Sequence, residues 1–558
     1  MKYLPLSTAP LVLPAVFKFY DSLSGFSCPP SHIMSKSRAR RKFPQLDEEV
    51  KYVQVFYEGQ HNDARTALAI VLSAAEEGAA IANYVEMTGV IKDEGTGKAI
   101  GVHCVDKLTG LTFDVRAKSI IFAGGPFTDA MRALEDPGSI PAVAGAAGTH
   151  VVLPGYYSPP DIGMLDINTS DGRFLFFLPW QGSTLVGTTD RKGDPVSTPG
   201  PPEDEIKWIL TEVEKYLADE VRVRRADVLS AWQGWRPLAS DPHAEPGAPV
   251  SRDHIISTHP ETGITFITGG KWTTYREMAE DVVDRVIALN GLSQKAGPCR
   301  TKEKKLRGGE GYGKNTAVKL VQKFGIAEDV AKHLAKTYGV HAFDVCYLSR
   351  PTGKKWPRFG KRLVEGYPYI ESEVQYACDK EYACTVKDML SLRFRLAYLN
   401  SDAALMAASR VADLMAEAKG WAPEERDMQL EVARTYLAEF GGPIPKEDDE
   451  IALSVETVHD LHTLFKLLDA DDNGYIDLEE MVKAADKLGF PFGNDDDARA
   501  AFASLDAAGD GRVNESEFIK WWQTKGPDDE LRQQLASKFS SRVDKLGSDA
   551  QSRGVMFG

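Results

Sequence analysis

The stretch TGITFITGGKWTTYREMAEDVVDRVIALNG (262–291) decides the fold of this chain. It begins with β-branched and aromatic residues, turns at Gly269-Gly270, and continues with apolar residues at helical spacing up to Gly291. We therefore predict a buried strand, a tight turn and a helix. A glycine turn of this kind lets the backbone approach a flat or anionic ligand, because the helix N-terminus that follows it favours negative charge.

A second stretch, SIIFAGGPFTD (119–129), repeats the pattern of a buried strand that ends in two glycines. The segment before it alternates in hydrophobicity and is interrupted by the turns Gly95–Gly97 and Leu108–Gly110, which predicts a small meander of strands. Further upstream, residues 65–88 predict an Ala-rich helix and a short strand, with Asn62 or Asp63 as the N-cap. Each glycine turn is a weak signal by itself, since such turns are common.

Length and charge limit the class of protein. The 558 residues exceed a single core and suggest three or four domains, and 43% hydrophobic residues exclude general disorder. The net charge of −15 argues against a nucleic-acid-binding surface. Residues 443–558 carry −12 of it and residues 1–442 only −3, so a nearly neutral body carries an acidic appendage.

Cysteine spacing and hydropathy exclude other classes. The six cysteines form no CxxC pair or zinc spacing, which indicates free thiols. No apolar run is long enough to predict a spanning helix. The apolar stretch 4–17 is interrupted by prolines, so we interpret it as interior sequence rather than as a targeting segment.

The strongest local motif is DADDNGYIDLEE (469–480), a complete EF-hand loop. Calcium prefers about six to eight oxygen ligands. This spacing supplies them from Asp469, Asp471, Asn473, the Tyr475 carbonyl, Asp477 and bidentate Glu480. The alternative is an acidic surface helix, which the full match makes much less favoured.

A second loop, DAAGDGRVNESE (506–517), repeats the pattern with losses. Its third position is Ala508, which has no side-chain oxygen, and its ninth is Asn514. We expect weak or absent calcium binding here and a structural role that pairs Val513 with Ile476. One competent loop and one degraded partner indicate a regulatory module.

The order of motifs along the body resembles FAD-dependent, quinone-linked glycerol-3-phosphate dehydrogenase. The resemblance is carried by YEGQHNDAR (57–65), AGGPFTD (123–129), GTH (148–150), FFLPW (176–180), VGTTD (186–190), WRPL (235–238), SRDH (251–254), GGKWTTYR (269–276) and ACTVKDMLSLRFRLAYL (383–399). It covers nearly the whole chain. The added EF-hand pair is typical of the mitochondrial, eukaryotic form.

The resemblance implies the oxidation of sn-glycerol 3-phosphate to dihydroxyacetone phosphate, with hydride passing from C2 to FAD and electrons to ubiquinone. It also implies peripheral attachment to the mitochondrial inner membrane and no nucleic-acid partner; a homo-oligomeric state is left open. Arg236 would bind the phosphate, His150 would act as base, and Lys271 would bind substrate or stabilise charge on the reduced flavin. The expected cofactor-binding residues are Gly124, Gly125, Pro126, Gly269, Gly270 and Thr273.

Each of these roles has a structural alternative. His150 would otherwise be a structural histidine and Arg236 a member of an ion pair. For Arg252, Asp253 and His254, a loop salt bridge is at least as good an explanation as a place in the site. His61, Asp63 and Arg65 most simply cap and anchor a helix.

We predict an α/β FAD-dependent oxidoreductase fold with a strand-rich substrate domain, an all-α C-terminal domain and an EF-hand pair. The expected boundaries are 1–300, 301–442 and 443–558. The family's flavin-binding GxGxxG motif precedes the segment that corresponds to 19–39, and the chain shows no such motif. We therefore expect an N-terminally truncated flavin domain with impaired FAD binding.

Two other hypotheses remain open. The first is a related FAD oxidase that uses oxygen as acceptor or acts on another hydroxy or amino acid. The second is a catalytically inactive protein that retains calcium binding, for which we expect no flavin absorbance and no turnover.

Overall fold

The computed structural model describes residues 9–166, 169–170, 172–218, 221–239, 253–442, 465, 468–469, 471, 473–488, 494–506 and 509–524. The chain divides into two compact units, Met1–Pro443 and Ile444–Gly558. The predicted boundary between residues 300 and 301 lies inside the first unit and stays a prediction.

The first described elements surround a short antiparallel pair of strands. Asn62 caps the last of these helices by accepting a hydrogen bond from the Arg65 amide at 3.2 Å, as the sequence predicts. The elements are α1 (Ala9–Leu23), β1 (His32–Ser35), α2 (Lys36–Lys42), β2 (Tyr52–Val55) and α3 (Asp63–Glu76).

The predicted meander is confirmed. Its antiparallel strands are β3 (Val85–Lys92), β4 (Ala99–Asp106) and β5 (Thr112–Arg116). They lead to β6 (Ile121–Phe122), in which Phe122 is buried, and to α4 (Thr128–Glu135). The segment Gly95–Gly101 lies at the β3–β4 turn, so it is a hairpin and no dinucleotide motif.

The largest described sheet is built around one long strand. Its elements are β7 (Val143–Pro154), β8 (Met164–Asp166), β9 (Leu175–Trp180), β10 (Ser183–Gly187), β11 (Arg191–Lys192), α5 (Glu203–Glu214) and β12 (Ser230–Ala239). β7 pairs with β10 and β11 along one edge and with β12 along the other. Residues on β7 are therefore surrounded by neighbouring strands, and Val151, Val152 and Leu153 are fully buried.

The deciding stretch folds as predicted into a strand, a turn and a helix. The strands β13 (His254–Thr258) and β14 (Thr265–Gly269) are antiparallel, and α6 (Tyr275–Leu289) follows the glycine turn. β14 also pairs with β6 in parallel, with Thr265 opposite Ile121 and Phe266 opposite Phe122. The two glycine turns therefore follow neighbouring parallel strands.

The rest of the first unit is helical, as the sequence predicts. Its elements are α7 (Thr316–Phe324), α8 (Glu328–Tyr338), α9 (Ala342–Tyr347), α10 (Glu371–Lys380), a π-helical turn (Asp388–Arg393), α11 (Leu396–Leu399), α12 (Ser401–Lys419) and α13 (Pro423–Ala438). α10, α12 and α13 share a core with Trp180 of the large sheet, and Trp232 packs against it.

The second unit is an EF-hand pair. It contains β15 (Tyr475–Ile476), α14 (Leu478–Leu488), α15 (Asp495–Leu505), β16 (Val513–Asn514) and α16 (Glu515–Thr524). Ile476 pairs with Val513, which confirms the predicted contact between the two loops. Both residues lie in a core with Phe465, Phe502 and Phe518.

Cysteine pairing and helix hydropathy can be examined in the described residues. The six cysteines, all described, form no disulfide. Among the described helices, none has both the length and the hydropathy needed to cross a bilayer.

Candidate active site and calcium loop

The two glycine turns lie at the same edge of one sheet. Gly124, Gly125 and Pro126 follow β6, and Gly269 ends β14 and is followed by Gly270 and Lys271. Because parallel strands end at a common edge, and ligands of open α/β sheets bind beyond the carboxyl ends of the strands, this edge is a candidate cofactor site. Thr273 lies in the exposed 3-10 turn Trp272–Thr274, just before α6.

The second turn requires glycine for two reasons. Gly270 has φ +77°, a left-handed conformation that side chains rarely adopt, and a Cβ there would lie 2.6 Å from the Met278 sulfur. By contrast, a Cβ at Gly125 would have no heavy atom within 4 Å among the described residues. The first turn therefore leaves open space beside its backbone, where a ligand can approach.

His150 and Arg236 lie on adjacent strands of the large sheet, four register positions apart. His150 is on β7 opposite Trp232 of β12, and Arg236 lies further along β12 opposite Ala146. The His150 ring stacks on the Trp232 ring, with centroids 5.5 Å apart and planes 12° apart. Its Nδ1 is buried and has no hydrogen-bond partner among the described residues.

Arg236 is held by the loop after β10. Its Nη2 donates to Thr188 Oγ1 at 3.2 Å and its Nη1 to the Thr189 carbonyl at 3.4 Å, and Asp190 lies 3.7 Å from Nη1. The side chain is 36% exposed, so part of the guanidinium remains accessible to an anion. Arg236 therefore forms the ion pair that the structural alternative expected, with Asp190 as its partner. Its exposed part can still bind an anion.

Burial and charge together disfavour the protonated form of His150. Its pKa is lowered to about 4, first because the ring is removed from water and second because Arg236 is positively charged. The Gly148 backbone and, to a smaller extent, Asp63 act in the opposite direction and raise the pKa. The imidazole is therefore neutral at physiological pH, which is the state in which it can accept a proton.

A buried carboxylate holds the strand and the loop together. Glu205 of α5 accepts hydrogen bonds from Thr189 Oγ1 at 2.7 Å, from Gln233 at 3.4 Å and from Thr149 Oγ1. Thr189 Oγ1 also accepts from the Thr149 amide at 2.9 Å. Because Thr149 precedes His150 and Thr189 contacts Arg236, this network fixes both candidate residues.

The other predicted site residues lie near the glycine turns. Lys271 is exposed at the end of β14, and the ring of its neighbour Trp272 is 6.1 Å from the ring of His61. His254 Nε2 hydrogen-bonds Asp281 of α6 at 2.9 Å, which is a structural contact between β13 and α6. Arg252 lies outside the described residues.

The sequence analysis did not identify Trp232 and Glu205, which hold His150 and Arg236 in place. Trp232 lies four residues before Arg236, but only its pairing with His150 across two strands gives it a role. Glu205 is distant in sequence from both residues that it positions. In the sequence, Glu205 is one of three acidic residues in the first turn of a helix, together with Glu203 and Asp204, and only its burial distinguishes it.

Three of the six predicted calcium ligands converge in the first EF-hand loop. Asp469, Asp471 and Glu480 each place a carboxylate oxygen within 4.8 Å of the others, which makes them a cluster that can hold a metal ion. Asp469 also accepts from the Asn473 and Gly474 amides, at 3.0 and 2.9 Å. Tyr475 and Asp477 lie at the positions that the sequence assigns to the carbonyl and the water-side ligand.

The second loop has a similar backbone without the same cluster. Asp506 accepts from the Gly509 and Gly511 amides at 2.7 and 2.8 Å, and Glu517 accepts from the Asn514 amide at 3.0 Å. Among the residues for which side chains are described, no second group of three carboxylates converges as in the first loop. Ala508 lies outside the described residues.

Comparison with protein families assigns three segments. Residues 3–276 match the family described as FAD dependent oxidoreductase, residues 299–426 match the C-terminal domain of alpha-glycerophosphate oxidase, and residues 459–523 match an EF-hand domain pair. The first match contains both glycine turns, His150 and Arg236.

Whole-chain comparison is consistent with these segments. The mitochondrial glycerol-3-phosphate dehydrogenases of Mesocricetus auratus and Homo sapiens are 44% and 43% identical over 515 residues, which is 90% of this chain and 70% of theirs. A glycerol-3-phosphate dehydrogenase from Bacillus halodurans, solved with FAD, superposes with a TM-score of 0.63 at 27% identity over 74% of this chain and 81% of that one. The chain, whose residues 459–523 match an EF-hand pair, therefore belongs to the family of mitochondrial, FAD-dependent glycerol-3-phosphate dehydrogenases.

Proposed function

We propose that this chain oxidises sn-glycerol 3-phosphate at C2, passes the electrons to ubiquinone and responds to calcium. The observation that carries the substrate assignment is the neutral His150 beside the partly exposed Arg236. Oxidation of a secondary alcohol needs a base for the hydroxyl proton, and a phosphate dianion needs a fixed cation. The two side chains supply these functions in neighbouring positions.

The residues present fit the strand-edge part of an FAD site, although the sequence shows no GxGxxG motif. Two glycine turns follow parallel strands there, and the space beside Gly125 is open. Bound FAD supplies the hydride acceptor. Gly124, Gly125, Pro126, Gly269, Gly270 and Thr273 would contact it through closely approaching backbone, and Lys271 would offset negative charge nearby.

In this proposal the protein's own residues handle the phosphate and the proton. Arg236 binds the phosphate through the guanidinium N–H groups that face away from Thr188 and Thr189. His150 accepts the C2 hydroxyl proton, because its imidazole is neutral. The stack on Trp232 keeps the ring in one orientation.

Peripheral attachment to the mitochondrial inner membrane is part of the proposal. α1 and the turn after it expose Phe19, Leu23 and Phe26, which are 66–71% accessible. Exposed apolar side chains clustered on one segment are typical of a protein or membrane contact. This surface would bring the enzyme to a lipid-soluble quinone.

The full chain tests the proposal directly. We expect substrate-dependent reduction of a short-chain ubiquinone, a flavin absorbance spectrum, and loss of turnover in His150→Asn. Reduction of oxygen but not of the quinone would favour the oxidase hypothesis. Calcium binding without flavin absorbance or turnover would favour the inactive calcium-binding protein, for which the complete loop at 469–480 is the supporting feature.

A further inference from the structure

Arg395 has an unusual backbone and an unsatisfied side chain. It follows the π-helical turn Asp388–Arg393 and has φ +67°, which is rare for a residue with a side chain. It is 8% exposed, and its Nε is buried without a hydrogen-bond partner among the described residues. Backbone outliers of this kind concentrate at functional sites, so the position of the guanidinium is informative.

The Arg395 guanidinium faces the aromatic support of His150. Its Cζ lies 4.1 Å from the centroid of the Tyr398 ring and 5.7 Å from that of Trp180. Both rings contact Trp232, at centroid distances of 5.1 and 6.2 Å, and Trp232 is the ring on which His150 stacks. Arg395 and Tyr398 of the helical region therefore contact Trp232, directly or through a ring, on the side where Trp232 supports His150.

Asp63 forms an ion pair with Arg395 and also interacts electrostatically with His150. Arg395 Nη2 lies 3.3 Å from Asp63 Oδ1. Asp63 is the first residue of α3, which is anchored to the helical region because Arg65 forms a two-pronged ion pair with Glu381, at 2.7 and 2.8 Å. The backbone of Asp63 is thus anchored, and its carboxylate, 58% exposed, is paired with Arg395.

The charged groups that act on His150 come from two elements. Arg236 of β12, itself paired with Asp190, lowers the pKa, and Asp63 of α3 raises it. The remaining neighbours are uncharged. The Gly148 backbone of β7 makes a polar contact that raises the pKa more than Asp63 does, and the ring also meets Trp232 of β12 and Gly187 of β10, where a Cβ would lie 2.6 Å from the ring. Arg395 is the ion-pair partner of the one acidic group in this set.

We propose that Asp63 and Arg395 are positioning residues that set the charge environment of His150, so that the helical region controls the proton affinity of the candidate base. Arg395 neutralises part of the Asp63 charge and fixes the rings behind Trp232. The proposal deepens the role proposed for His150. Its measurement does not depend on that role, because a pKa is observable without turnover.

The test is a titration of the full chain by NMR with ¹³Cε1-labelled histidine, in which the His150→Asn variant assigns the His150 signal. Asp63→Asn removes a negative charge and should lower the His150 pKa. Arg395→Asn leaves Asp63 unneutralised and should raise it, each by on the order of half a pKa unit. Asn tolerates left-handed backbone, so this variant preserves the fold at position 395.

Two further variants sharpen the result. Arg395→Lys keeps the charge and should keep the pKa, and the double variant Asp63→Asn/Arg395→Asn should shift it less than either single change. Arg410→Gln, which breaks the pair with Glu371 in the same helical region, is the matched control and should leave the His150 pKa unchanged.

Equal pKa values in the wild type and in both single variants would overturn the proposal, as would shifts in the same direction. An unchanged pKa with a raised KM for glycerol 3-phosphate in Arg395→Asn would instead make Arg395 a substrate-binding residue. Shifts of opposite sign in a protein without turnover would support the positioning role while the proposed function of His150 fails.

Discussion

At the residue scale, His150 should couple protonation to stability. Its pKa is about 4 in the folded chain and 6.5 in the unfolded reference, so between these values the unfolded state binds more protons. The stabilising contribution of neutral His150 is therefore complete above about pH 6.5 and is lost as the pH falls toward 4, by about 3 kcal/mol. Urea unfolding of the wild type and of His150→Asn between these pH values measures it.

The wild type should lose stability more steeply than His150→Asn as the pH is lowered through this range. Identical pH dependence of the two proteins would contradict the lowered pKa.

The His150→Asn variant is also expected to reduce kcat by at least about a hundredfold, because a positioned base contributes about 10²–10⁴ to the rate.

The strand pair β7–β12 gives a prediction at the scale of elements. Gly148 pairs with Gly234 across the two strands, but only the first has close neighbours: a Cβ at Gly148 would lie 2.6 Å from Arg236 Nη2 and from Thr188 Oγ1. Gly148→Ala should displace the guanidinium and raise the KM for glycerol 3-phosphate about tenfold or more, since a hydrogen bond to a charged group contributes about 1.5–3 kcal/mol. Steady-state kinetics of the full chain measures the change.

Gly234→Ala is the matched control, because a Cβ there meets no described atom within 4 Å. Its KM should stay near that of the wild type. Equal effects of the two substitutions would show that strand packing, rather than Arg236, is responsible.

The EF-hand loop gives a second prediction at this scale. Glu480 is 8% exposed and its carboxylate lies in the cluster with Asp469 and Asp471, so we assign it as the bidentate calcium ligand. Glu480→Gln should weaken calcium binding at least about tenfold in calorimetry, because it replaces a charged, two-oxygen ligand. Glu517→Gln, at the same position of the second loop, should have a smaller effect, and unchanged affinity in Glu480→Gln would refute the assignment.

At the scale of the whole molecule, the exposed segment around α1 predicts membrane binding. Leu23→Ser/Phe26→Ser should reduce cosedimentation with phosphatidylcholine–cardiolipin vesicles, because burying each side chain contributes about 1.5–3 kcal/mol. Leu405→Ser/Met406→Ser, at exposed apolar positions of α12, is the control and should bind like the wild type. Equal binding by both double variants would place the membrane contact elsewhere.

The sequence by itself determined the features that depend on local spacing. The strand, turn and helix at 262–291, the meander, the N-cap Asn62 and the calcium loop are each encoded by residues a few positions apart, so periodicity and turn chemistry are sufficient to predict them. The order of the motifs also predicted the family, which the comparisons confirm.

Only the tertiary structure decided which distant residues act together. His150 meets Trp232 and Arg236 because β7 and β12 pair in one register, and Asp63 meets Arg395 because α3 packs on the π-helical turn. Such contacts join segments far apart in the chain, and no local pattern encodes their register or the desolvation that lowers the pKa of His150. The chemistry of the candidate base is therefore a property of the packed sheet and helices rather than of the GTH motif alone.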